Sequence, residues 1–293
     1  MGFSRRVGLP MAKILPPLSS QRREDAVVQG PLYPRQPRTP EEVEALRREV
    51  DAVPAWYHAI DLGDGVVTPG PFELTRTIHH YPIPEDMSGM RVLDVGASNG
   101  FYSFEFERRG AEEVVALDLG SWLEHDWGPR KRAEFEVHAK DDVRRFDDQQ
   151  MRRGFDVVGR ALGSRRVRKV EMPIYDIAPE PLGMFDLVFS GAMLMHVRDP
   201  IQGICRMRTV CKDDGAIVIS ISSTLGDTED PLARFMGEWD QCNFWQMNPA
   251  CLKRVLAFAD FEPTGEEVMY SEDAGGGTWM DSVFVCRARP RQG

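Results

Sequence analysis

Short, uninterrupted hydrophobic runs recur along the chain, each followed by a glycine or a polar turn. They lie at residues 91–95, 114–118, 184–190 and 215–222. Runs of this length, rich in valine, isoleucine and leucine, predict strands that are buried on both faces. Farther along, Pro249 opens a segment to about residue 259 whose apolar positions repeat with helical spacing. Strands that alternate with helices predict an α/β fold with a parallel sheet.

The first third of the chain predicts additions to that core. Residues 1–38 are rich in proline, arginine and glutamine without periodicity, which predicts a flexible arm. A capping box, Thr-Pro-Glu-Glu, begins at Thr39 and predicts a helix to about residue 53. Residues 56–70 alternate apolar and polar around a Gly-Asp-Gly turn, which predicts a hairpin. We therefore expect an arm (1–38), a helix with a lid hairpin (39–90) and a core (91–290). The hairpin could equally pack against the sheet edge without forming a lid.

The turn after the first core strand is the clearest indication of a ligand site. It has the pattern Asp94-x-Gly96-x-Ser98-x-Gly100, and the next strand ends in Asp118. A strand that leads into a helix N-terminus, with a carboxylate on the next strand, is typical of sites for nucleoside-bearing cofactors. A dinucleotide fingerprint would need glycines at positions 98 and 101, which are serine and phenylalanine here. That difference disfavours a dehydrogenase, and the Gly-Lys-Ser/Thr of a phosphate-binding loop is absent from this turn.

This pattern resembles the first motif of the class I S-adenosylmethionine (SAM) methyltransferases. The resemblance implies a doubly wound, mostly parallel, seven-stranded Rossmann-like sheet and SAM as the cofactor. It implies that the backbone at Gly96, Ser98 and Gly100 approaches the methionine tail of SAM. Asp94 would fix the ammonium group, and Asp118 would accept the ribose hydroxyls.

Two later strand exits extend the resemblance. Asp176, after the third predicted strand, matches the position that takes the adenine amino group. Ser190 ends the fourth strand and is expected to contact the cofactor. The residues at 56–70, 94–105 and 108–111 narrow the likeness to the family grouped with the tRNA wobble-uridine methyltransferases that make carboxymethoxyuridine.

One departure from that family bears on the reaction. The tRNA enzymes of this type use carboxy-SAM and carry Leu-Tyr-His after the fourth strand, where this chain has Leu194-Met195-His196. Methionine lacks the hydroxyl that could hold the extra carboxylate, and a buried carboxylate without a partner is costly. The net charge of −10 also disfavours tRNA, because cationic contacts to phosphates supply most of such affinity. We therefore expect ordinary SAM and a small-molecule acceptor, such as a natural product or sugar. A basic RNA-binding patch within residues 130–169 is the alternative to a solvated helix–loop insertion there.

Transfer to an acceptor oxygen usually needs a base, and histidine suits neutral pH. His196 follows the fourth strand, where acceptors bind in this fold, and is the first candidate. His58 in the lid hairpin is the second. Residues 234–260 are rich in aromatic side chains and form either an acceptor wall or part of the core.

Three functions therefore remain open: a small-molecule methyltransferase, a tRNA wobble-uridine methyl or carboxymethyl transferase, and a SAM-binding protein without turnover. The five cysteines are scattered without metal-ligand spacing, so we expect reduced thiols, no metal site and a cytoplasmic protein. No apolar run is long enough to span a membrane, so no membrane partner is expected.

Overall fold

The structure of the protein is a computed structural model that describes residues 31–75, 77–138, 152–237, 243–270 and 283–291. Its centre is a seven-stranded sheet. The strands are β1 (Arg91–Val95), β2 (Glu113–Asp118), β3 (Val167–Glu171), β4 (Phe185–Ser190), β5 (Cys211–Ser222), β8 (Phe261–Tyr270) and β9 (Val283–Pro290). They lie side by side in the order β3-β2-β1-β4-β5-β9-β8. The first five are parallel, and β9 runs antiparallel between β5 and β8.

The strand order reverses between β1 and β4, which both lie at the centre of the sheet. In open α/β sheets the crevice outside the carboxyl ends of the strands at such a reversal is the usual ligand site. This sheet confirms the predicted doubly wound, mostly parallel fold.

Helices cover both faces of the sheet. They are α1 (Pro40–Asp51), α2 (Phe101–Arg108), α3 (Pro129–His138), α4 (Phe155–Leu162), the short α5 (Pro179–Leu182), α6 (Pro200–Val210) and α7 (Pro249–Phe258). The predicted capping box is present, since Thr39 Oγ1 accepts the Glu42 N–H and the Glu42 carboxylate accepts the Thr39 N–H. The predicted helix after Pro249 is also present, with Leu252, Val255 and Leu256 buried.

Two hydrophobic clusters lie on opposite faces of the sheet because successive side chains of a strand alternate. Val92 belongs to the cluster that contains α2, α4 and the N-terminal extension. Leu93 and Val95 belong to the cluster that contains α6 and α7. Both faces of β1 are therefore apolar, which is why its sequence reads as one hydrophobic run.

The N-terminal extension differs in detail from the prediction. Its turn at residues 63–65 is present, with the Leu62 N–H donated to the Val66 carbonyl and an antiparallel bridge from Asp61 to Val67, but no regular strand forms. Residues 31–38, which the sequence assigned to the arm, contact the core: the Leu32 N–H donates to the Leu162 carbonyl. Residues 1–30 lie outside the described part of the chain.

The basic run at residues 165–169 also differs from its interpretation as part of an insertion, because most of it forms the edge strand β3. Its arginines are used within the fold. Arg166 donates to the Gly110 and Ala111 carbonyls, and Arg168 pairs with Glu113. A second, two-stranded antiparallel sheet, β6 (Ala233–Phe235) and β7 (Trp245–Met247), lies between β5 and α7 in the chain.

Candidate active site

The turn after β1 has the backbone that the glycine pattern predicted. Gly96, Ser98 and Gly100 all have positive φ angles, of 85°, 49° and 89°. Ser98 adopts this conformation although it has a side chain, which carries a steric cost for a residue other than glycine. At Gly96 a side chain is also excluded by space, because a Cβ atom there would lie 2.5 Å from Met193 Cγ. The loop after β4 therefore lies directly against the glycine turn.

Asp118 holds this turn from the neighbouring strand. Its carboxylate accepts the Ser98 N–H at 2.6 Å and the Leu119 N–H at 2.7 Å. Burial raises the pKa of Asp118, while these two N–H groups oppose the rise. Each carboxylate oxygen keeps a second lone pair, so the group can still accept hydrogen bonds from a bound diol.

Asp94 lies below the turn, inside the protein. Its side chain is 2% exposed and accepts the Ser103 hydroxyl at 2.5 Å. Burial, helped by the nearby Asp118 charge, raises the pKa of Asp94 to about 7 against the effect of the Ser103 hydrogen bonds. Asp94 is thus poised to gain or lose a proton near neutral pH and to respond to a bound cation.

The exit of β4 supplies further polar groups. Ser190 is fully buried, and its Oγ has no hydrogen-bond partner among the described residues. Two residues on, Ala192 has a φ of 49°, and its N–H donates to Ser220 Oγ at 2.8 Å. Ser220 also accepts the Tyr81 hydroxyl at 3.1 Å. An unpaired buried hydroxyl such as that of Ser190 is available for a ligand.

His196 ends a single 3-10 turn, Leu194–His196, that follows this exit. His196 lies near enough to Asp118 for a positive charge on its ring to lower the pKa of that carboxyl, an effect smaller than those of burial, the Ser98 and Leu119 N–H groups and Lys169. Its ring centroid lies 6.5 Å from that of His125. The structure therefore brings the first predicted base to the side of the predicted ribose acid.

His58, the second predicted base, is 5% exposed and packs against Phe101 and Tyr102 at the start of α2. Burial lowers the pKa of His58 to about 3, so its ring is neutral at physiological pH, and its Nδ1 has no hydrogen-bond partner among the described residues. The segment is tied to the glycine turn through Asn99, whose Oδ1 accepts the Tyr57 N–H at 2.7 Å. The sequence did not single out Asn99, because nothing local links it to a residue 42 positions away.

Asp176 lies on the 3-10 turn Ile174–Asp176 after β3, where its side chain is exposed. Its neighbour Tyr175 makes a contact that the sequence did not predict. The Tyr175 hydroxyl donates to Asp126 Oδ2 at 2.5 Å and accepts the Asp199 N–H at 2.9 Å. Asp126 Oδ2 also accepts the Arg198 N–H at 2.8 Å. These bonds join the loops that follow β2, β3 and β4.

An aromatic cluster lies on the same side of the site. We use this name for Trp122, His125, Trp127 and Phe244. The His125 ring centroid lies 5.8 Å from Trp122, 4.5 Å from Trp127 and 6.0 Å from Phe244. The density of aromatic residues just after Asp118 is a signal in the sequence that could have marked this cluster.

The residues present suit SAM as a ligand. The set combines a buried carboxyl, a second carboxylate with free lone pairs, an unpaired buried hydroxyl on Ser190 and a turn with three positive φ angles. Carboxylates match an ammonium group and a ribose diol, and the turn allows close backbone approach. Within the described residues, no group of three or more His, Cys, Asp or Glu side chains is placed to hold a metal ion, and no helix could cross a membrane.

Comparison with known proteins supports this interpretation of the fold. A family model described as a methyltransferase domain matches residues 72–264. A solved structure with a TM-score of 0.52 and 17% identity covers 86% of this chain and 97% of its own: the N-terminal domain of EvdMO1 in the presence of SAH and D-fucose. That likeness concerns the fold.

Curated relatives share one name. The tRNA U34 carboxymethyltransferase of Pseudomonas fluorescens (strain SBW25) is 27% identical over 203 residues, which are 67% of this chain and 54% of the relative. The protein of the same name from Pseudomonas aeruginosa (strain LESB58) is 29% identical over 160 residues, 53% of this chain and 41% of the relative. This chain therefore spans about half the length of the curated relatives it matches. The match over residues 72–264 shows that the chain belongs to the methyltransferase domain family, the family whose first motif the turn at residues 94–100 resembles.

Proposed function

We propose that this protein transfers the methyl group of SAM to a hydroxyl oxygen of a small-molecule acceptor. The observation that carries the proposal is the arrangement of Asp94, the glycine turn and Asp118 at the point where the strand order reverses. SAM supplies an electrophilic methyl group on a sulfonium. The protein's part in such a displacement is to align donor and acceptor and to exclude water.

The cofactor end of the site is assigned to named atoms. The Asp94 carboxylate forms an ion pair with the ammonium group. Burial raises the pKa of this carboxyl, and the bound positive charge favours its ionised form. Asp118 accepts the ribose hydroxyls with the lone pairs that the Ser98 and Leu119 amides leave free. Ser190 Oγ, which is buried without a partner, donates to the methionine tail. Asp176 remains our proposal for the adenine amino group, with its exposed carboxylate on the loop after β3.

At the acceptor end, His196 is the proposed base. It removes the hydroxyl proton as the acceptor oxygen attacks the methyl group, and it lies on the loop that follows β4. His58 is the weaker candidate, because burial lowers its pKa to about 3 and so makes it a poor proton acceptor. Its neutral ring is better suited to receiving a hydrogen bond from the acceptor.

The proposal of a small acceptor rests on charge and on position 195. The net charge of −10 gives no general attraction to a polyanion. Within the 165–169 run, which could have formed a basic patch, Arg168 is engaged with Glu113 and Arg166 with backbone carbonyls. Met195 offers no hydroxyl for the extra carboxylate of carboxy-SAM.

The second candidate is transfer to the wobble uridine of tRNA, and one observation favours it. The curated relatives that this chain matches are named tRNA U34 carboxymethyltransferase. Identity of 27–29% over part of each protein leaves room for a different acceptor on the same fold.

The experiment that tests the choice uses SAM with a labelled methyl group. The purified protein is incubated with a low-molecular-mass cell fraction and, separately, with unmodified tRNA. We expect label in the small-molecule fraction, and no label in tRNA. Label in tRNA, at a rate that falls steeply with salt, would overturn the small-molecule proposal. Label in neither, with SAM bound, would favour the third function, a SAM-binding protein without turnover.

A further inference from the structure

We propose that the aromatic cluster binds a planar aromatic acceptor, and that His125 Nδ1 accepts a hydrogen bond from a hydroxyl group of that acceptor other than the one whose proton His196 removes. This inference rests on the proposed function and names the class of its acceptor.

The geometry of the cluster selects flat molecules. The rings of Trp122 and His125 are inclined by 14°, and those of Trp122 and Trp127 by 25°, at centroid distances of 5.8 and 5.9 Å. These near-parallel rings form a stack that a flat ligand ring would extend. Aromatic faces attract other flat rings in offset stacks, with roughly 0.5–1.5 kcal/mol per pair beyond the burial of area. A saturated ring of the same size gains only the burial.

His125 supplies the polar group of the cluster. Its side chain is 8% exposed, and its Nδ1 has no hydrogen-bond partner among the described residues. Burial, together with the nearby His196, lowers the pKa of His125 to about 4, so the ring is neutral at physiological pH. A neutral imidazole offers one acceptor nitrogen, and a buried polar atom without a partner is costly. A ligand hydroxyl at Nδ1 would remove that cost.

The surroundings favour an uncharged ligand. The four side chains of the cluster carry no charge when His125 is neutral. Asp126, which follows His125 in the chain, is already engaged by the Tyr175 hydroxyl and the Arg198 N–H. Arg132 donates to the His125 carbonyl. A phosphate or carboxylate would therefore meet no free cation within the cluster itself.

The position of the cluster connects the cofactor site to the surface. On its inner side, the His125 ring centroid lies 6.5 Å from that of His196, the proposed base. On its outer side, the Phe244 N–H donates to the Met195 carbonyl at 2.7 Å, and Trp245 Nε1 donates to the Arg198 carbonyl at 3.0 Å. Trp245 in turn packs against Phe235, which is 61% exposed. Aromatic side chains thus continue from solvent to the proposed base.

The test is calorimetric titration of the full chain, saturated with S-adenosylhomocysteine, with three probes. These are 2-naphthol, naphthalene and decahydro-2-naphthol, which separate the hydroxyl from the flat ring system. We expect 2-naphthol to bind at least about tenfold more tightly than either other probe, since about 1.4 kcal/mol corresponds to a factor of ten. Equal binding of 2-naphthol and its saturated counterpart would overturn the inference.

Variants locate the binding. His125→Phe keeps the packing and removes the nitrogen, so 2-naphthol should lose about tenfold in affinity while naphthalene loses less than about threefold. Phe244→Leu should weaken both flat probes about equally. Phe258→Leu is the matched control, because Phe258 is 75% exposed on α7. Unchanged probe binding in His125→Phe and Phe244→Leu would contradict the assignment.

The affinity for S-adenosylhomocysteine, measured on the same variants without probe, separates the two proposals. It should stay within about threefold of the parent protein, because the cluster is assigned to the acceptor. If it falls in step with probe binding, the cluster belongs to the cofactor and the inference is wrong. If the parent protein does not bind S-adenosylhomocysteine at all, the proposed function itself fails.

Discussion

Tyr175 donates its hydroxyl to Asp126 Oδ2 at 2.5 Å and thereby joins the loops after β3 and β2 across 49 residues of sequence. The same hydroxyl accepts the Asp199 N–H, and the same carboxylate accepts the Arg198 N–H, so the loop after β4 is included. The proposed adenine, ribose and acceptor contacts lie on these three loops. One hydrogen-bond network therefore links the three loops.

Removing that hydroxyl should loosen the site without unfolding the protein. In Tyr175→Phe we expect faster amide exchange at Arg198 and Asp199 and about tenfold weaker binding of S-adenosylhomocysteine, the range for a lost hydrogen bond to a charged group. Hydrogen exchange with calorimetry measures both. Tyr33→Phe is the matched control, because Tyr33 donates to Glu107 instead. Unchanged exchange at Arg198 and Asp199 would show that the loops do not depend on this contact.

The raised pKa of Asp94 predicts how cofactor binding depends on pH. Burial raises the pKa of Asp94 to about 7, and a bound ammonium group needs the ionised form. Affinity for S-adenosylhomocysteine should therefore fall as the pH is lowered from 8 to 5, by at most about tenfold per unit. Calorimetry across this range checks the prediction. Asp94→Asn should bind weakly with much less pH dependence; a full pH slope in that variant would assign the effect to another group.

In the cofactor-free protein, Asp94 should make the free energy of unfolding fall as the pH rises, which is opposite to its effect on cofactor affinity. Its folded pKa of about 7 lies above the ordinary value of 3.8, so the folded state holds the proton more tightly. The resulting stabilisation is present at low pH and is lost as the pH rises toward 7. The Asn side chain carries no charge, so Asp94→Asn should flatten this slope in urea unfolding measured between pH 4 and 8.

His196 is expected to act on turnover and not on cofactor affinity. His196→Ala should leave S-adenosylhomocysteine affinity nearly unchanged and lower kcat by on the order of a hundredfold, the scale of general-base catalysis. Single-turnover kinetics with the identified acceptor measure this effect. His79→Ala serves as the control because His79 is an exposed residue of the N-terminal extension. An equal loss of binding and turnover would remove His196 from the role of base.

The packing of the N-terminal extension has its own test at Gly70. A Cβ atom at this position would lie 2.2 Å from the carbonyl carbon of His58, a backbone atom that cannot turn away. Gly70→Ala should therefore lower the free energy of unfolding by about 1–3 kcal/mol or more, as measured in urea. Gly128→Ala should change it little, because nothing lies within 4 Å of a Cβ atom there. Equal stability of the two variants would show that the extension does not pack as described.

The sequence predicted the centre of this fold well because the relevant signals are local. A buried parallel strand is a continuous apolar run, and a turn with positive φ angles shows its glycines, so β1, β4 and the turn at Gly96 were recognisable. The structure has both strands and the positive φ angles of the turn, and the chain belongs to the family that the turn resembles. The edge strand β3 is not a continuous apolar run, because the edge of a sheet tolerates charged residues. Its arginines therefore resembled those of a solvated insertion.

The contacts that hold the site together were beyond sequence reasoning for a related reason. The bonds from Tyr57 to Asn99 and from Tyr175 to Asp126 span 42 and 49 residues and involve residue types with many ordinary uses. His125 Nδ1, which has no hydrogen-bond partner among the described residues, lies among three aromatic rings, and one of them belongs to Phe244, far along the chain. Such features arise only when the strand order brings separate loops together.

The most direct test of the account is calorimetric titration of the purified protein with SAM and with carboxy-SAM. We predict that SAM binds with a micromolar dissociation constant, and about tenfold or more tightly than carboxy-SAM, because Met195 leaves the extra carboxylate without a hydroxyl partner. Tighter binding of carboxy-SAM would contradict the assignment of the donor and favour the tRNA reaction. Binding of neither would contradict the cofactor site at Asp94 and Asp118.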